Sequence, residues 1–166
     1  DKSDWIWNTL NLGIDCGEDG TIYAEMNSGY GANRDNVVYV HGKTTDDDGN
    51  EKDDFSNRYT IAWEDRFKEN ILKDIVDLAF ITVGIEKDVK DKTVVKKFLA
   101  PYDAIAYLQE HLEDGTVVNV KGNLKYREWD GSIQIDKEIT SIFLSKAEPE
   151  DYRATFTQTI LCDYDF

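Results

Sequence analysis

APYDAIAYLQEHLEDGTVVNVKGNLKYREWDGSIQIDKEITSIF, residues 100–143, decides the fold. Pro101 suits the first turn of a helix, where its missing N–H leaves no bond unmade. Ile105, Leu108 and Leu112 then share one helical face, and Gly115 stands where such a helix ends. After Gly115 the period changes to two. Val118, Val120 and Leu124 point one way, with Gly122 between them. Asn119, Lys121, Asn123, Lys125, Arg127 and Trp129 point the other way. The turn Asp130-Gly131 leads into a returning strand, SIQIDKEITSIFLS. An interior glycine in such a strand marks a tight bend or a close approach.

Working outward, FITVGIEKD and KTVVKKFLA flank the polar turn DVKDK and make a hairpin. Phe67, Ile71 and Ile75 recur at i+4 and predict a helix over 66–76. YTIAW is a short strand, and residues 43–57 (KTTDDDGNEKDDFSN) read as a solvated loop. NVVYVHG, 36–42, is a strand. WIWNTLNLGI, 5–14, pairs across the turn DCGEDG with TIYAEMN, whose Ile22, Ala24 and Met26 share one face. At the far end, RATFTQTILC alternates like a strand.

Strands, then one helix, then a closing hairpin is the β-β-β-α-β-β order of a small five-stranded barrel, the OB-fold. The expectation is a mainly β protein with a helix between barrel strands 3 and 4. Extra N-terminal strands and an inserted helix are added to it. One domain covers 1–146 with an insertion at about 43–78, and 147–166 is a C-terminal extension or added strand.

The chain has 166 residues, enough for a core without disulfide staples. Cys16 and Cys162 form no CxxC, which excludes a zinc ribbon or redox motif of that kind and suits a reducing compartment. No apolar run reaches the ~20 residues that span a bilayer. A cytoplasmic location is expected. The net charge is −15. It is uneven: residues 84–146 hold ten Lys/Arg and eleven Asp/Glu, or −1, leaving nine bases and 23 acids, or −14, elsewhere. The whole-chain value argues against nucleic acid; the local value does not.

One strand face alternates Lys121, Asn123, Lys125 and Arg127 and ends in Trp129. The preceding hairpin adds Lys96, Lys97 and Phe98. Cations for phosphates and rings for bases are what a single strand of nucleic acid needs. The plainer account is a solvated face of an antiparallel sheet. Trp129 weighs against it, because a large exposed ring on a polar face needs a reason. Period two puts Tyr126 on the interior side.

The run from about 93 to 145 resembles the C-terminal half of bacterial and phage single-stranded DNA-binding proteins. That family has a helix of the form A-x-YL-x-KG before a strand reading x-V-x-I-x-G-x-L-x-x-R-x-W. Here Tyr107-Leu108 opens the run, and Val118, Val120, Gly122 and Leu124 hold the interior pattern. Arg127 and Trp129 match the basic and stacking residues. The helix ends Glu113-Asp114-Gly115 instead of Lys-Gly, and the first 80 residues do not match. The resemblance implies sequence-independent binding and protection of single-stranded DNA in replication or recombination, without catalysis or cofactor. It also implies an acidic, aromatic-tipped end that recruits replication or recombination proteins. Asp163, Asp165 and Phe166 fit that tip, while the strand-like stretch before them fits a packed segment instead.

Other signals carry less. Asp46, Asp48 and Asn50 fit the first positions of a calcium loop, but Glu51 takes its glycine position and Asn57 its last ligand position. GYGAN, 29–33, lacks the ending of a phosphate loop. It reads either as a plain loop or as a finger carrying Tyr30 and Arg34 to a nucleic acid. His41 and His111 have no serine beside them in a recognisable motif, so a nucleophilic triad is unsupported. The rival to DNA binding is an acidic OB-like interaction module, a DNA mimic that binds a basic nucleic-acid-processing protein.

Overall fold

The computed structural model describes residues 4–49, 51–74 and 80–157. Eight strands, two helices and three single 3-10 turns order as β1 (Trp5–Asp15), β2 (Thr21–Gly31), β3 (Val37–Thr45), β4 (Glu51–Ala62), α1 (Glu69–Asp74), β5 (Ile81–Lys87), β6 (Thr93–Phe98), α2 (Pro101–His111), β7 (Val118–Trp129) and β8 (Ser132–Leu144). The protein is mainly β, as the sequence predicts.

Six strands form one mixed sheet, in the order β1-β2-β8-β5-β6 with β7 also on β8. β8 is the hub. Along one edge it pairs antiparallel with β7 from Ser132 to Leu144. Its other edge is shared by β2 (Glu25 opposite Glu138) and β5 (Thr82–Gly84 opposite Ser141–Phe143), both parallel. Among the described residues the sheet does not close into a barrel. The strand before α2, β6, spends its pairing on β5, and no strand pairs with the outer edge of β7.

α2 lies on one face of this sheet. Its Ala104, Ile105 and Leu108 are fully buried against Ala24 and Met26 of β2, Val83 of β5, and Ile139 and Ile142 of β8. Ile139 and Ile142 are an odd number of residues apart, yet both face the core. Thr140 is an extra residue at a β-bulge, between the pairs Lys121–Ser141 and Gly122–Ile139. Gly122 faces that bulge, and a Cβ there would collide with the Glu138 carbonyl. The glycine is therefore required by close backbone approach.

β3 and β4 form a separate two-stranded sheet. Its Val38, Val40 and Ile61 pack with Leu99 and Ala100, so the β6–α2 junction joins the two apolar clusters. This corrects the expected loop at 43–57. β3 runs on to Thr45, β4 starts at Glu51, and the turn is held by Gly49 N–H donating to the Asp46 carbonyl at 3.0 Å. Three further boundaries differ. The helix expected over 66–76 begins only at Glu69. α2 ends at His111, and Gly115 (φ 81°) serves the following turn. Arg153–Thr157, expected as strand, has no regular structure, and Ala154 N–H donates to Asp19 Oδ2 at 2.8 Å. Residues 158–162 of that stretch lie outside the described residues, as do Ile75 and Val76 of the predicted helix.

Candidate nucleic-acid interface

Beyond Gly122 the β7–β8 hairpin leaves the core. Residues 122–129 and 132–135 are all exposed, so the two strands continue as a ribbon. Its tip is Asp130-Gly131, with φ 50° and 71°, the two-residue turn whose twist matches the strands. This turn fixes the register: Trp129 opposite Ser132, Arg127 opposite Gln134, Lys125 opposite Asp136 and Asn123 opposite Glu138.

Period two then assigns the faces. Lys121, Asn123, Lys125, Arg127 and Trp129 lie together on the face opposite α2, as read from the sequence. Trp129 is 71% exposed. A row of paired positions, Lys121–Ser141–Thr82–Lys97, crosses four strands on the same face, so Lys97 joins the group. Lys97 Nζ is 5.4 Å from the Phe80 ring, beside a shallow pocket lined by Glu69, Leu72 and Lys73.

The remaining sequence candidates are not on this face. Lys96 pairs with Val83 on the helix side, where its Nζ lies 3.1 Å from Glu86 and 4.2 Å from the Tyr107 ring. Phe98 packs against the main core and tilts on Tyr107 at 5.6 Å. β2 runs through the supposed finger at Tyr30, which stacks on Trp63 at 5.1 Å and meets Tyr102 edge-on. Arg66 seals that cluster, lying 4.1 Å over Trp63 and gripping Asp103 through Nε (2.7 Å) and Nη2 (3.1 Å). Arg34 ion-pairs with Asp4. Asp163, Asp165 and Phe166 lie outside the described residues.

Two cations of the ribbon, Lys125 and Arg127, are already paired. Lys125 Nζ lies 2.6 Å from Glu138 Oε2. Arg127 donates to Asp136 from Nε at 2.6 Å and from Nη2 at 3.2 Å. This bond holds the Asp136 carboxyl below the usual carboxylate range, and the carboxylate raises Arg127 in turn. Lys121 has no ion-pair partner among the described residues. Exposed pairs contribute about 0–1 kcal/mol, so an incoming phosphate can compete for the cation.

Sequence reasoning missed Trp7 and Tyr23. Both are exposed on the same outer face, Trp7 paired with Gly29 and Tyr23 with Gly13. The signal was present: Leu10, Leu12 and Ile14 alternate inward, so the odd positions of β1 point out. Glu25, paired with Glu138, joins that aromatic surface to the ribbon. Among the described residues no group of three or more His, Cys, Asp and Glu is placed to hold a metal, and no helix is long and apolar enough to cross a membrane. Comparison of the chain with family models, curated proteins and solved structures finds no match.

Proposed function

We propose that the protein binds single-stranded DNA without sequence preference, in the cytoplasm, during replication or recombination, and that it does no chemistry on the strand. One observation carries this reading: Trp129 stands exposed at the ribbon tip, in line on one face with Arg127, Lys125, Asn123 and Lys121. A ring offers a base a stacking surface worth about 1–3 kcal/mol, whatever the base. The cations beside it reach phosphates once their exposed carboxylate partners are displaced. We read the architecture as an opened OB-fold derivative, supported by the helix between β6 and β7 and by the closing β7–β8 hairpin. Phage or mobile-element origin and recruitment of partner proteins through the acidic end belong to the same reading.

The pairing of Lys125 and Arg127 with acids favours a second reading, an acidic module that occupies a basic protein in place of DNA. One titration separates the two. Tryptophan emission is followed while oligo-dT is added at two salt concentrations. DNA binding quenches it and weakens with salt, with a slope near −0.7 per phosphate contacted. No binding at the lower salt concentration rejects the first reading.

A further inference from the structure

The ribbon has a second face, and it is apolar. Leu124, Tyr126, Ile133 and Ile135 project on the α2 side, all exposed, with Ile133 at 72%. Tyr126 is opposite Ile135, so the four form one patch over three consecutive rungs. A strand exposed on both faces ordinarily carries polar residues on each, and four large apolar side chains in register mark a surface that another surface covers.

Charge tells which surface. The same face carries Lys137 opposite Leu124 at its base and Glu128 opposite Ile133 at its tip, with Tyr126–Ile135 between. The sequence of rungs is cation, apolar centre, anion, spanning about 13 Å from Leu124 to Glu128 at the usual strand rise. A two-fold axis through the central rung lays the ribbon antiparallel on an identical ribbon. It lays the Glu128–Ile133 rung of each copy over the second copy's Leu124–Lys137 rung, where Glu128 reaches Lys137 diagonally, and stacks the two Tyr126–Ile135 rungs on each other. A two-fold interface must be self-complementary in this way.

We propose that two copies of this chain associate by packing the apolar faces of their β7–β8 ribbons antiparallel. The Trp129 face of each copy remains outside the contact, so this inference stands independently of the DNA-binding reading.

Sedimentation of the purified chain across a range of concentrations tests it. A rise from 19.1 kDa to twice that mass is expected. Ile133→Glu/Ile135→Glu, at exposed positions, keeps the far-ultraviolet circular dichroism and weakens dimerisation roughly thirtyfold or more, the loss typical of a central interface anchor. Glu128→Lys and Lys137→Glu each weaken the dimer, and the two together restore it; these surface changes decide the matter even if the double glutamate variant misfolds. A chain that stays monomeric at every concentration overturns the proposal. So does a dimer indifferent to Ile133→Glu/Ile135→Glu, or one that the paired charge exchange does not restore.

Discussion

Arg127 reaches diagonally across the ribbon to Asp136, two residues nearer the core than its direct partner Gln134. Lys125 does the same to Glu138. The outer part of the basic row is thereby ion-paired, and its attraction for phosphate is set by how readily those two pairs open. If the row meets a strand, Asp136→Asn frees the guanidinium without removing a cation. The expected result is tighter binding of oligo-dT and a salt slope steeper by up to about 0.7, one further phosphate. Unchanged affinity and slope in the oligo-dT titration would show that Arg127 does not touch the strand.

Trp129→Ala tests the stacking position. The ring is exposed and supports no core contact, so thermal stability stays within about 0.5 kcal/mol of the parent, as for ordinary surface changes. Binding to oligo-dT falls by about 1–3 kcal/mol. Lost stability with retained affinity would place the binding face elsewhere, with Trp7 and Tyr23 the next positions to change.

Much of this was legible because periodicity and turn chemistry agreed. The switch from i+3/i+4 spacing to alternation between Leu112 and Val118 located α2 and β7. Asp130-Gly131 located the ribbon tip. The β3–β4 hairpin was hidden because its distal half buries nothing: Lys43–Thr45 and Lys52–Ser56 show no apolar alternation, and Glu51 onward reads as solvated loop. Strand pairing alone makes these residues a strand. Lys96 and Lys97 looked equivalent in sequence, yet adjacent residues of a strand face opposite ways, and only the pairing with Val83 and Thr82 says which way each points. The acids facing Lys125 and Arg127 were within reach of sequence reasoning, since a two-residue turn dictates the register of both strands.

Gly122 is the point where β7 passes closest to β8. Gly122→Ala places a methyl against the Glu138 carbonyl, a backbone atom that cannot rotate away. The strands must part at the bulge. A loss of about 1–3 kcal/mol in denaturant unfolding is expected, in the range of overpacked sites. A midpoint equal to that of the parent would mean that the bulge yields without cost.

Leu108 tests the core beneath the interface. It is fully buried among β2, β5 and β8 side chains. Leu108→Ala leaves a cavity that the surrounding strands fill only partly, and a loss of about 2–5 kcal/mol is expected. Because the ribbon beyond Gly122 is exposed and lies outside this core, the surviving folded fraction should bind oligo-dT with parental affinity per folded molecule. A loss of affinity beyond the loss of folded protein would show that the core sets the ribbon geometry.

Tyr107 gives the fold an alkaline limit. Burial first, and then the bond from its hydroxyl to Glu86, push the phenol up to about 12. A phenol raised in the folded state favours folding fully below its unfolded value of about 10, and that contribution disappears as pH climbs through the folded value. Stability should therefore decline between about pH 10 and pH 12. Lysines also lose their charge in that window, so the parent is compared with Tyr107→Phe, which keeps the ring against Phe98 and removes the titrating group. The variant should lose less stability over the same interval. In the parent, absorbance near 295 nm should show one tyrosine ionising late. Parallel pH profiles for the two proteins would exclude Tyr107 as the group that limits the fold at high pH.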